Sequence, residues 1–366
     1  MYDPKLLARP QRPPRGMSII ELMVGIVVAL LVALAATGGA MMFTASQRQG
    51  IGTGGTTVNV GTVLAALKND TANAGLGFFG DNRFLCNALN LSMGALVVSD
   101  AASFAPLRIT RDGANDIIDA VYSSRVHAGA NVLLRNASNG SSAELMSLLP
   151  VAVGQAVLLA PAAPASGASA AADACVVRSV TGVTASTEDS PQVLTFAAAA
   201  SHNAAAFTTA VTYPERSHVA LLGDLRWNRY RVINRNLVLE RPMDGSSAVL
   251  ARNVIAFRAQ YGINDGTLLP GGAPSPTIDS WQNAEGAGFA ALDSTNIGRV
   301  RALRLGIVTR SPQREKPDAG GNCVASDAKP VLFGTVVEPD VADWGCYRYR
   351  TTTTVLPLRN LVMGIK

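Results

Sequence analysis

Arg15-Gly16-Met17-Ser18-Ile19-Ile20-Glu21-Leu22-Met23-Val24-Gly25-Ile26 opens the most apolar part of a 366-residue chain. Before it stands a basic leader, with Lys5, Arg9, Arg12 and Arg15 against a single acid, Asp3. After Glu21 come 22 uncharged residues, Leu22 to Phe43. A helix of that length, rising about 1.5 Å per residue, spans roughly 33 Å, enough for the core of a bilayer. A carboxylate at the centre of such a segment costs about 2.5–3.5 kcal/mol. Glu21, at the mouth of the run, therefore needs a reason to be there. A secretory signal peptide is one reading, since Ala33-Leu34-Ala35 offers small residues for cleavage. An uncleaved anchor with its positive side in the cytoplasm is another. Both leave the Glu unexplained, and the run is long for a signal peptide.

The residues resemble a class III, type IV pilin-like signal: a basic leader ending in Gly, then Met-Ser-Ile-Ile-Glu-Leu-Met-Val-Gly. That resemblance implies that a prepilin peptidase cuts after Gly16 on the cytoplasmic face and N-methylates Met17. It makes Glu21 the fifth mature residue and retains the apolar helix as the stem by which subunits pack into a filament. The chemistry agrees. Cleavage before Met17 creates a cationic amine beside the membrane, and a buried carboxylate is tolerated when paired with an opposite charge. In a helical stack, Glu21 of one subunit would meet the Met17 amine of its neighbour and set axial register.

Composition bounds the rest. The apolar fraction of 48% is ample for a core, while aromatics are scarce at 5%. The net charge of +5 is carried largely by the leader; without residues 1–16 the chain has 27 basic and 25 acidic residues. Nothing in that balance argues for a nucleic-acid surface. The four cysteines, Cys86, Cys175, Cys323 and Cys346, suggest two disulfides in an exported chain, with three connectivities open. Spacing favours Cys323–Cys346 as a local loop closure, which leaves Cys86–Cys175. A zinc site is the competing reading, but no pair has C-x-x-C spacing.

Along the chain, residues 1–16 read as leader, 17–46 as transmembrane stem helix, and 47–80 as a Gly-rich break followed by an amphipathic helix. Thr37, Gly38 and Gly39 interrupt the apolar run, and glycine costs about 1 kcal/mol in a helix interior. Gly50-Ile51-Gly52-Thr53-Gly54-Gly55-Thr56-Thr57 lacks the Lys of a phosphate loop and reads as a flexible joint or a poor helix. Helical spacing resumes at Val60, Val63, Leu64 and Leu67 and ends near Ala74-Gly75. Residues 81–215 form a β-rich variable region. Its candidate strands are 95–98, 107–110, 117–122, 156–159, 176–180 and 193–196, with a low-complexity Ala/Pro loop at 160–174. Arg111 to Asp116 reads as a solvated turn, its spacing unlike a calcium loop. Residues 216–366 form a second β-rich region. Its alternating strands lie at 218–222, 226–233, 237–241, 253–263, 300–309 and 347–356.

Two stretches resemble PilW-type minor pilins. One is the post-stem helix Leu64 to Asp70, followed by Ala74-Gly75 and Phe78-Phe79, although Thr71 stands where the family has Arg. The other is the C-terminal series: Leu237-Val238-Leu239-Glu240-Arg241, Asn253-Val254 through Gln260-Tyr261-Gly262, Arg299-Val300-Arg301-Ala302-Leu303-Arg304 and Leu358-Arg359-Asn360. The resemblance implies an α+β protein, a long, partly transmembrane N-terminal helix packed against a mainly antiparallel, disulfide-stabilised head. It implies a minor pilin that takes part in priming type IV pilus assembly and in the tip complex, anchored in the inner membrane with its head in the periplasm, then at the pilus tip. Expected partners are other minor pilins, the major pilin, a PilY-type tip adhesin, prepilin peptidase and the inner-membrane assembly platform. Cell adhesion and twitching motility are the processes such pili serve. A J-type pseudopilin of a type II secretion system and a membrane-anchored periplasmic adhesin are the alternatives.

Enzymatic chemistry finds no support in the motifs. His127, His202 and His218 have no metal spacing, and no G-x-S-x-G elbow or dinucleotide fingerprint is present. No cofactor is expected. Of the three tryptophans, Trp227 on an alternating strand reads as core, while Trp281 and Trp344, in loop-like sequence, are contact candidates.

Overall fold

One helix, α1 (Ile19–Asn73), carries the N-terminal part of the chain. It runs unbroken through Gly38-Gly39 and through residues 50–57, so the expected Gly-rich break is not there. Glycine lowers helix propensity by about 1 kcal/mol per residue but removes no backbone donor, and flanking turns can hold such a stretch helical. α1 stops at Gly75, whose φ of 83° suits a residue without a Cβ and whose N–H donates to Val121 O at 3.0 Å. The computed structural model describes residues 18–80, 83–86, 88–93, 96–123, 130–162, 174–187, 190–198, 200–203, 212–267, 269, 275–285, 289, 292 and 296–359. The leader, Gly16, Met17, His127 and most of the Ala/Pro loop lie outside them. The chain divides into two compact units, Met1–Gly54 and Gly55–Lys366.

The second unit is α+β and mostly antiparallel. Its first strands are β1 (Phe79–Gly80), β2 (Arg83–Phe84), β3 (Ala88–Met93), β4 (Leu96–Ser103), β5 (Leu107–Asp112) and β6 (Asn115–Ser123). Next come β7 (Asn131–Leu133), β8 (Ser142–Glu144), β9 (Ala156–Ala160), β10 (Cys175–Ser179), β11 (Gly182–Thr184) and β12 (Val193–Thr195). The later strands are β13 (His218–Gly223), β14 (Leu225–Ile233), β15 (Asn236–Arg241), β16 (Ser246–Arg252), β17 (Val254–Ile263), β18 (Ser280–Asn283) and β19 (Val300–Arg310). β20 (Val331–Leu332), β21 (Thr335–Val336) and β22 (Tyr349–Pro357) complete the series.

Three sheets dominate, with strand orders β4-β3-β10-β9-β13-β7, β16-β15-β14-β6-β5 and β18-β17-β19-β22. Strands from either side of residue 215 share the first two sheets, so the two sequence regions interleave. β3 and β10 pair in parallel, beside the Cys86–Cys175 disulfide, whose Cα atoms are 5.6 Å apart. Cys323–Cys346 is the other disulfide, with a Cα separation of 4.5 Å.

Two cores explain the strand sequences. Alternate residues of β9, Ala156, Leu158 and Ala160, enter one core, while Val157 and Leu159 enter the other. β13 divides in the same way, Ala220 and Leu222 against Val219 and Leu221. A strand covered on both faces reads as a continuous apolar run rather than an alternation. The larger core also takes Val60, Val63 and Leu67 of α1, together with Phe257, Tyr261, Leu303 and Leu305. Hairpin geometry fixes register: β14 and β15 are joined by Asn234-Arg235, both at positive φ (49° and 62°), as a type I′ turn requires.

Candidate functional site

Within Ser18–Thr37, Glu21 is the sole charged side chain. Residues Ile19–Thr37 have a mean hydropathy of 2.8, are long and apolar enough to cross a membrane, and bury nothing within the chain. Ile20 and Leu34 are each 73% exposed. A helix apolar on every side needs lipid or other helices around it. Its polar groups are arranged for that setting. Thr37 Oγ1 donates to Ala33 O at 2.8 Å, and Glu21 lies in the first turn, where unpaired N–H groups favour a carboxylate.

At the other end of α1 a carboxylate is buried. Asp70 is 3% exposed. It accepts hydrogen bonds from Tyr122 Oη (2.8 Å), Asn228 Nδ2 (2.7 Å) and Tyr230 Oη (2.5 Å). Burial, then the Asp70 charge, pushes both phenols well above the usual tyrosine range, so they remain donors. The cluster ties the end of α1 to β6 and β14. Thr71, where the resemblance expected Arg, donates to Leu67 O at 2.6 Å and stays inside its own helix.

The Arg111–Asp116 turn departs from expectation. Asp112, Gly113 and Ala114 are exposed, but Asp116 is buried. Its carboxylate pairs with Arg111 (3.0 Å) and Arg258 (3.2 Å) and accepts from Ala259 N–H at 2.8 Å. It joins the five-stranded sheet to β17 rather than facing solvent.

A cavity of about 570 Å³ opens between the first two sheets, lined by Met93, Ser179, His202, Arg226, Asn228 and Arg241 among others. His202 Nδ1–H donates to Ser92 O at 2.7 Å, and burial holds its pKa below the usual value. Ser92 Oγ and Ser179 Oγ bond to its backbone O and N, and no nucleophile is hydrogen-bonded to its ring among the described residues. His218 is buried beside Asn131 at 3.0 Å. No group of three or more metal-binding side chains occurs among the described residues.

The tryptophans follow expectation in part. Trp227 packs against the larger core as expected, half-buried, with its Nε1–H donating to Asp119 Oδ1 at 2.8 Å. Trp344 is half-buried next to the Cys323–Cys346 bridge in sequence. Trp281 lies on β18, a strand and not a loop, and covers Gly262. The Arg304 guanidinium stands 4.7 Å from the Trp281 ring centre and 4.5 Å from that of Phe333. Sequence reading missed this stack, because Phe333 reaches it from a separate two-residue turn.

Residues 225–360 match the family model described as type IV pilus-assembly protein W. No curated protein matches the chain. Among solved structures, a type IV-like pilin from Thermus thermophilus aligns with 81% of this chain and 96% of its own, at 12% identity and a TM-score of 0.26.

Proposed function

We propose, from the premise that residues 225–360 match pilus-assembly protein W, that this chain is a type IV pilus minor pilin, made as a precursor and working by assembly rather than by catalysis. The observation that carries the reading is the stem: an all-round apolar, unburied helix with one acid, Glu21, four positions after Met17. Prepilin peptidase cuts after Gly16 and methylates Met17. The stem then holds the protein in the inner membrane, with the head in the periplasm, until it passes into a filament. There the Glu21 carboxylate pairs with the Met17 amine of a neighbouring subunit. That contact fixes the axial step, because an unpaired carboxylate among apolar helices is costly.

The head, about 320 residues past residue 46, is large for a subunit surrounded on all sides. We assign it to the tip complex that primes assembly, in contact with other minor pilins, the major pilin and a PilY-type adhesin. N-terminal mass spectrometry of the protein from its own cells tests the reading. The expected result is a chain that begins at N-methylated Met17; an intact leader, or cleavage after Ala35, would overturn it.

A further inference from the structure

The outer face of the β18-β17-β19-β22 sheet carries a cation held between rings. Gln260, Arg304 and Val355 lie side by side on β17, β19 and β22. Gly262 and Gly306 flank that row, and the absence of a side chain at each makes room for a ring. A Cβ at Gly262 would meet the Trp281 ring, and one at Gly306 would meet Leu332 and Phe333. Trp281 and Phe333 thus reach the guanidinium of Arg304 from its two sides along the strand. Its Nε donates to Gln260 Oε1 at 2.9 Å, and Nη2 donates to the same oxygen. Gln260 is held in turn by Asn283 at 2.8 Å. No carboxylate pairs with Arg304 among the described residues.

Phe333 reaches this position at a cost. It occupies the first place of the two-residue turn between β20 and β21, at φ 52°, with Gly334 following at 80°. A bulky side chain in the left-handed region is strained, and such strain persists where the surroundings enforce it. Asn, Asp or Gly is the ordinary occupant of that turn position. Here the strained residue delivers a half-buried ring to an unpaired cation. Val355, 48% exposed, extends the same row towards the open side of β22.

We propose that Trp281, Arg304, Phe333 and Val355 form a docking surface for an acidic segment of another pilus subunit, with Arg304 taking the partner's carboxylate. The two ring centres lie 4.7 and 4.5 Å from the guanidinium carbon, and Nε and Nη2 share one neutral acceptor, Gln260 Oε1. An in-plane carboxylate is the ligand that this geometry suits best. A half-buried Arg close to two aromatic rings is also the composition of an interface hot spot. The proposal rests on the minor-pilin reading, since it needs another subunit as occupant.

Photo-crosslinking of the full-length protein in pilus-forming cells tests it, with benzoylphenylalanine at position 333 in one strain and at Val27 of the stem in another. The expected result is an adduct from position 333 to a second pilus subunit, at a peptide that contains Asp or Glu. Arg304→Gln should lower that adduct about tenfold, as loss of one charged contact does. Adducts from Val27 with none from 333 would overturn the docking surface and leave the minor-pilin reading standing. So would an adduct to a peptide without an acid, or one unchanged by Arg304→Gln. Loss of adducts at both positions would remove both readings. If Arg304→Gln fails to fold, the identity of the peptide captured with Arg304 intact decides.

Discussion

Asp70 is where one side chain decides the most. Three of its donors come from residues 122, 228 and 230, all buried. Asp70→Ala should therefore destabilise the head by about 3–5 kcal/mol, since it strands two phenols and an amide. Tyr230→Phe, which removes one donor to a charged acceptor, should cost about 1.5–3 kcal/mol. Urea unfolding followed by circular dichroism would measure both. The tyrosines also predict a pH limit. Burial raises the pKa of Tyr122, Tyr213, Tyr230 and Tyr261 in the folded protein. The unfolded chain loses these protons near pH 10, while the folded one keeps them. Stability is therefore complete below that pH and falls above it, by about 1.4 kcal/mol per pH unit for each tyrosine. Urea midpoints measured between about pH 8 and 11 should drop steeply above 10, with the tyrosinate absorbance of these four appearing only on unfolding; a flat profile would contradict the burial argument. Little of this was legible beforehand. The sequence marks Asp70 as an acid near a helix end, but its partners lie more than fifty residues away and are chosen by sheet register.

At the scale of elements, helical spacing from Val60 to Leu67 marked the buried face of α1, and alternation marked β14, β17 and β19. Spacing also paired the cysteines. Of the two readings open for residues 50–57, joint or poor helix, the helix holds, because propensity weighs each residue alone while a long helix is held by its whole ladder. β16 was missed because its side chains are mostly exposed and carry no apolar rhythm. Two predictions belong here. Glu21→Ala should leave the stem in the membrane, since it makes the segment more apolar, yet lower incorporation into filaments. Immunoblots of sheared pili against membrane fractions check this, and normal incorporation would end the register argument. Cys323→Ser should lower head stability by about 2–5 kcal/mol by releasing the loop that ends at Cys346. Thiol counting on the unreduced protein provides the control, with no reactive thiol expected in the parent.

For the whole molecule, the family match covers 225–360 while the first two sheets draw strands from both sides of that boundary. A fragment that ends at residue 215 lacks β13, and so loses the strand between β9 and β7. Residues 55–215 alone should be unfolded or aggregated, whereas 55–366 should unfold in one cooperative step; calorimetry distinguishes the outcomes. The interleaving could not be foreseen from composition, because two-sided burial turns β9 and β13 into plain apolar runs with no hint of their neighbours.

That strand order also imposes a timetable. β9 waits for β13, 58 residues further on, before its second edge is paired, counted from His218 against Ala160. β3 waits for β10, across the 89-residue separation closed by Cys86–Cys175. Long-range pairings of this kind fold slowly, because loop entropy is lost before contacts repay it. Until those partners arrive the early strands have open edges, a state prone to wrong pairing. The stem adds a constraint of its own: if it is held in the bilayer from the start, the head searches for its fold while tethered. Neighbouring heads would then be kept at a membrane's spacing during the interval when their edges are exposed.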